Sequence, residues 1–177
     1  EAILSMATIA ETLTEYAEAF NYDAVPAAVR HRARHLLLDA TGIALASSTY
    51  EFAQRTVNSL ASFGGGECDV IGMPIKLPLR DAVLANGVLI HGLDFDDAHA
   101  VGSIHATSSW FPTALGVATC AQLSGRDMLT AYILGMEVAT RLGAVAKGEL
   151  VQVGFHPSGV IAAFGCALIA AKLYGLS

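Results

Sequence analysis

The sequence predicts an all-α fold: a compact bundle of about seven helices with one small hairpin near residues 68–77. Three observations carry that reading. Apolar residues recur at helical spacing through most of the 177 residues. Helix-start signals, Pro26 and Ser124-Gly125-Arg126-Asp127, stand ahead of such stretches. Strand-like composition is confined to one short run, Cys68 to Leu77.

The first helix is expected from about Met6 to Phe20, with Ile9, Leu13, Tyr16, Ala17 and Phe20 on one face and Glu11, Glu15 and Glu18 toward water. Asn21-Tyr22-Asp23 breaks it. Pro26 suits the first turn of a second helix, where its missing N–H is not needed. That helix continues through Arg30, Arg34 and Leu38 and turns wholly apolar around Ile43–Ala46, so its second half is expected to be buried. His31 and His35 lie on its polar face as surface residues. A third helix, about Glu51 to Ser62, ends at Gly64-Gly65-Gly66. Cys68–Gly72 and Ile75–Leu77, separated by Met73-Pro74, form the hairpin. Helix returns from Asp81 to His91, gives way to an irregular acidic segment (Asp94 to His105), and resumes near Phe111. The Ser124-x-x-Asp127 signal starts a helix carrying Glu137 and Arg141 as an i,i+4 pair. Gly148 to Pro157 reads as a loop and Ser158 to Tyr174 as a last helix. Gly116, Gly135, Gly143 and Gly165 each cost a helix ~1 kcal/mol of intrinsic propensity, which predicts close helix–helix approach as compensation.

Hydrophobic residues make up 54% of the chain, charged ones 15%, and mean hydropathy is +0.52. Such apolar content excludes disorder and predicts that some faces are covered by a partner subunit or by further chain. The longest apolar stretches, Met128–Ala146 and Gly159–Leu176, are interrupted by Glu137 and Arg141 and by Lys172. Rich in Ala and Gly, they read as buried helices of a soluble protein and not as membrane spans. A net charge of −6 with only ten Lys and Arg leaves no electrostatic footprint for nucleic acid. Cys68, Cys120 and Cys166, without CxxC spacing, predict neither a disulfide framework nor a zinc knuckle. Residues 1–20 lack a signal-peptide pattern, so a cytoplasmic location is expected, and a start at Glu1 implies a trimmed N-terminus.

Charge is concentrated where the chemistry is expected. His91-Gly92-Leu93-Asp94-Phe95-Asp96-Asp97-Ala98-His99, with His105 beyond, is anomalously polar for this chain. A solvated loop with capping aspartates is the bland reading; the apolar helices on either side place the segment at a cleft mouth instead. Its donors suit a divalent metal, although no recognised ligand spacing is present. They equally suit acid–base work at a carbon next to a carboxylate, because histidine titrates near neutral pH and a carboxylate can fix its tautomer. A second candidate is Gly154-Phe155-His156-Pro157-Ser158-Gly159, where His156 opens a helix, Ser158 can cap it, and free N–H groups favour an anion. No phosphate-cradling glycine loop is present, so no organic cofactor and no metal are expected.

These segments carry a family resemblance. His91-Gly92 followed by Asp94-Phe95-Asp96-Asp97, then His105, then Gly-Phe-His at 154–156, together with Leu38-Asp39-Ala40-Thr41-Gly42, Ala85-Asn86-Gly87 and Gly135-Met136-Glu137 with Arg141, resembles the MmgE/PrpD family over essentially the whole chain. That family includes 2-methylcitrate dehydratase, cis-aconitate decarboxylase and iminodisuccinate epimerase. The resemblance implies a cofactor-independent lyase or isomerase of small di- or tricarboxylic acids, typically a homodimer. It also implies that residues 1–177 are the N-terminal part of the helical domain, with the family's α/β lid domain absent from this chain. Asp94, His105 and His156 then match catalytic positions, and Asp97, His99 and Ser158 are expected to contact substrate. Ala98 and Ala106 depart from the family's Thr and Pro, and the substrate-binding lysines of related enzymes lie beyond Ser177. The chain thus resembles half an active site and is expected to be inactive and association-prone by itself. The competing expectations are a metal-dependent hydrolase or lyase using the Asp94–His105 cluster, and a helical interaction module without chemistry.

Overall fold

A computed structural model describes residues 7–176. In order come α1 (Ile9–Ala19), a 3-10 turn (Tyr22–Ala24), α2 (Ala27–Ser47), α3 (Glu51–Ala61), β1 (Cys68–Val70), β2 (Met73–Leu77), α4 (Leu79–His91), α5 (Thr107–Cys120), α6 (Gly125–Val145), α7 (Glu149–Gln152) and α8 (Pro157–Tyr174). The fold is mostly helical, as expected, with a single two-stranded sheet among the described residues. The one-turn α7 lies inside the stretch read as a loop; four residues are too few for apolar periodicity to register.

Local chemistry explains most helix ends. The expected start of the first helix at Met6 lies outside the described residues. The helix begins after Thr8, whose hydroxyl accepts the Glu11 N–H while Glu11 accepts the Thr8 N–H at 2.7 Å, a capping box. Ser124 and Asp127 make the same reciprocal pair at α6, as the spacing predicts. Glu137 and Arg141 pair on its surface. Lys172 of α8 donates to Ala17 O (2.8 Å) and Glu18 O (3.1 Å), placing a cation on the carbonyl end of α1. Two starts fall earlier than the apolar pattern indicates: α4 begins at Leu79, directly after Pro78, and α5 at Thr107.

The hairpin pairs Cys68 with Leu77 and Asp69 with Lys76, antiparallel. Its turn is at Ile71-Gly72, where Gly72 takes φ +74, so Met73-Pro74 opens the second strand instead of forming the turn. Buried Asn86 of α4 clamps it, accepting the Ile71 N–H at 2.8 Å and donating to Asp69 O at 3.1 Å.

At the centre α5 packs against α4, α6 and α8, burying Trp110, Phe111, Ala114, Val117 and Ala118. The helical glycines permit this closeness. A Cβ at Gly165 would sit 2.2 Å from Trp110 Nε1, and one at Gly135 2.6 Å from Ile169 Cδ1; Gly116 and Gly143 likewise abut Leu79 and Gly102. Several apolar faces stay exposed within the chain. Along α8 only a stripe at four-residue spacing (Pro157, Ile161, Gly165, Ile169, Leu173) is buried, while Phe164 is 53% exposed. On α2 small residues (Ala33, Ala40, Ala44, Ser47) face the core and Leu45 faces out, so the expected burial of its apolar second half is not met. By length and composition α6 and α8 could each cross a membrane, and half of the apolar window of α6, but 28% of that of α8, is buried in the bundle.

Candidate active site

Three segments converge at one end of the bundle: the last turn of α4, the Asp94–His105 connection, and the first turn of α8. His91 is the final residue of α4. The chain then reverses at Asp94, whose backbone is left-handed (φ 55) and whose N–H donates to His91 O at 2.9 Å. Aspartate tolerates that conformation better than most residues. The reversal brings Asp96 back beneath His91, with Oδ1 2.9 Å from His91 Nδ1 and 3.4 Å from His105 Nδ1. His99 and Ile104 pair through their backbones, closing the connection and returning His105 to the group.

The neighbouring polar groups hold this shape. Asp97 accepts the Thr107 N–H at 3.1 Å and so secures the start of α5. Ser158 does not cap α8; its hydroxyl accepts the His105 N–H at 2.8 Å, tying the two candidate segments together. His156 takes the cap position, with Nδ1 accepting the Gly159 N–H at 3.4 Å. His99 turns inward on its own loop, its Nδ1 accepting the Gly102 N–H at 3.1 Å. The rings of His91 and His105 lie 5.0 Å apart between centroids, and those of His91 and His156 6.4 Å.

Two carboxylates flank His105 on opposite sides. Asp94, one of the expected catalytic positions, lies on the solvent side, with Oδ1 3.8 Å from His105 Nε2 and a side chain 80% exposed. Asp96, to which the sequence alone assigned no role, is 1% exposed and touches both His91 and His105. Asp96 Oδ2 and His105 Nδ1 are buried without a hydrogen-bond partner, a costly state that functional sites tolerate more than cores do. Burial holds the Asp97 carboxyl above its ordinary range, partly offset by its hydrogen bonds to Thr107 and reinforced by the Asp96 charge. One donor atom each from His91, Asp94, Asp96 and His105 lies within 4.8 Å of the others, an oxygen–nitrogen set able to hold a divalent cation. Beside His91 a groove of about 560 Å³ opens between α4, α5 and α8, lined by Arg80, Gly87, Ser108, Ser109 and Gly159 among others.

Residues 11–177 match the MmgE/PrpD N-terminal domain. The chain belongs to the MmgE/PrpD family. Among curated MmgE/PrpD relatives it is 30% identical over 162 residues to cis-aconitate decarboxylase of Aspergillus terreus, covering 88% of this chain and 33% of that enzyme. The human cis-aconitate decarboxylase is 33% identical over 156 residues, 84% of this chain and 32% of the enzyme. A cis-aconitate decarboxylase-like protein of Aspergillus oryzae is 30% identical over 162 residues, 86% and 34% respectively. The chain therefore spans about a third of the length of the curated relatives it matches. Membership covers both halves of the histidine group, since the matched span runs from α1 through α8.

Proposed function

We propose that this chain supplies the histidine half of the active site of an MmgE/PrpD lyase or isomerase. Its reaction is a proton transfer at a carbon next to a carboxylate of a small di- or tricarboxylic acid: dehydration, decarboxylation or epimerisation. The observation that carries the proposal is His105 held between buried Asp96 and exposed Asp94, with the His91 and His156 rings beside it. The cis-aconitate decarboxylases among its relatives supply the substrate class.

The groups that each ring faces divide the labour. At His105, Nδ1 lies 3.4 Å from buried Asp96 and Nε2 3.8 Å from exposed Asp94; the shorter, water-shielded contact favours the tautomer with its proton on Nδ1 and leaves Nε2 to take a proton. At His156, Nδ1 accepts a backbone N–H, so the neutral ring carries its proton on Nε2. His105 is thus the base and His156 the acid. Asp96 and Asp94 place a carboxylate on either side of the His105 ring as it takes a proton. Asp97 and Ser158 hold the two segments in register, and His99 closes the loop. The N–H groups at the start of α8 offer a place for a substrate carboxylate. No organic cofactor enters this scheme, and we propose a cytoplasmic homodimer with no nucleic-acid or membrane partner, in line with the net charge of −6.

Titrating the complete enzyme carrying this chain with citrate and cis-aconitate while following histidine NMR signals tests the site. Shifts at His91, His105 and His156, with His31 and His35 unmoved, support it; no shift at any of them supports a helical interaction module instead. One observation favours a second reading, the four donors within 4.8 Å of one another. Stoichiometric metal by elemental analysis, with activity lost on chelation, would establish a metal-dependent lyase or hydrolase in place of the metal-free one.

A further inference from the structure

We infer that Cys68 and Cys120 are a paired oxidation site, which a hydroperoxide converts to an intramolecular disulfide joining the hairpin to the end of α5. Spacing in the sequence gives no hint of the pair, because 52 residues separate the two cysteines. Folding brings them together: Cys68 is the first residue of β1, Cys120 the last of α5, and their sulfurs lie 2.6 Å apart, closer than two non-bonded sulfurs ordinarily rest.

Both ends are anchored. Cys68 pairs in register with fully buried Leu77, and Asn86 fastens the hairpin to α4 on the residue that follows and at the turn. The two backbones are therefore held side by side, and only side-chain rotation can part the sulfurs. Their reaction is intramolecular and gains the advantage of held neighbours. The two thiols are also unlike. Cys68 is buried and Cys120 exposed, and burial together with the neighbouring Cys120 thiol pushes Cys68 up to about 11. Cys120 meets an oxidant from solvent; Cys68 is shielded and waits behind it, the arrangement of a peroxide-sensing cysteine with its resolving partner.

The chemistry balances with one peroxide. The Cys120 thiolate attacks a peroxide oxygen, the O–O bond breaks, and a sulfenic acid forms as the departing hydroxide takes up the thiol proton and leaves as water. Cys68 sulfur then attacks Cys120 sulfur. The S–S bond forms, the S–O bond breaks, and the hydroxide leaves as water with the proton from Cys68. Two thiols lose two electrons and hydrogen peroxide becomes two waters. Cys166 stands apart between α5 and α8, held by Thr113 Oγ1 at 3.3 Å and Ser109 O at 3.6 Å.

The test is treatment of the chain with hydrogen peroxide, quenching, alkylation and peptide mass spectrometry, with no reliance on catalytic activity. The expected result is loss of two of the three alkylatable thiols, a Cys68–Cys120 cross-linked peptide with Cys166 still alkylated, and full reversal by dithiothreitol. Cys166→Ala should retain the cross-link, while Cys120→Ser and Cys68→Ser should each abolish it. Three alkylatable thiols after treatment, Cys120 oxidised to sulfinic acid with Cys68 still free, or Cys120 joined to Cys120 of a second chain would each overturn the inference.

Discussion

The α5–α6–α8 interior and the histidine rim use α5 in opposite ways. In the interior polar atoms are matched: Thr107 Oγ1 and Tyr132 Oη, both buried, meet at 2.6 Å, and Trp110 Nε1 donates to Ala162 O at 3.3 Å over the gap left by Gly165. At the rim, a few residues before Thr107, Asp96 Oδ2 and His105 Nδ1 are buried and unmatched, Asp94 is left-handed, and the Asp97 carboxyl is raised. A third unmatched atom, Ser47 Oγ, lies on α2. The interior supplies rigidity; the rim keeps polar groups in states that a core would not tolerate, which is the condition for tuned acids and bases. Substitutions should therefore separate into those that move stability and those that move turnover.

The largest effect belongs to the rim. In the complete enzyme carrying this chain, His105→Ala or His156→Ala should lower kcat by about two to four orders of magnitude, with circular dichroism and Tm near those of the parent. Near-parental turnover in both would remove the assignment. Asp96→Ala comes next, because it leaves His91 and His105 without their shared carboxylate. A loss of about 10–100-fold is typical when such an orienting group is removed, and steady-state kinetics at several pH values would show it as a changed profile.

Interior changes should show the reverse. Gly165→Ala drives a methyl into the Trp110 indole and should cost about 1–3 kcal/mol in urea unfolding, while activity per folded molecule is kept. Tyr132→Phe removes the buried Thr107–Tyr132 hydroxyl pair, a loss of about 1–2 kcal/mol by the same measurement. The smallest change links the two regions. The Asp97 pKa is raised on folding, so the fold favours its neutral form and loses stability as pH rises through that pKa. Asp97→Asn should therefore raise Tm at pH 7, with the gain shrinking as pH falls through the raised Asp97 pKa and vanishing at the usual carboxylate value. A gain that grew on acidification would reverse the assigned direction.

Much of the interior was legible in the sequence because its causes are local. The Ser124–Asp127 cap, Pro26 ahead of α2 and the helical glycines at 116, 135, 143 and 165 act within a turn or set a close approach that glycine alone allows. The rim was legible as a group, since acidic residues and histidines crowd one segment of an apolar chain, but not in its internal roles. Asp94 and Asp96 are the same residue type two positions apart, and only the reversal at Asp94 decides which is exposed and which is buried between two histidines. Ser158 looked like a cap because it stands at a helix start; its bond to His105 spans 53 residues and no local pattern encodes it. The Cys68–Cys120 contact was hidden for the same reason.

Imidazole tautomers test the central claim most directly, because the division into base and acid rests on what each Nδ1 faces. Long-range proton–nitrogen NMR spectra of the nitrogen-15-labelled chain read the tautomer of each neutral histidine ring. The account predicts the Nδ1–H form for His105 and the Nε2–H form for His156, with both signals moving when cis-aconitate is added to the complete enzyme carrying this chain and those of His31 and His35 staying fixed. The same tautomer in both rings, or a His105 carrying its proton on Nε2, would contradict it.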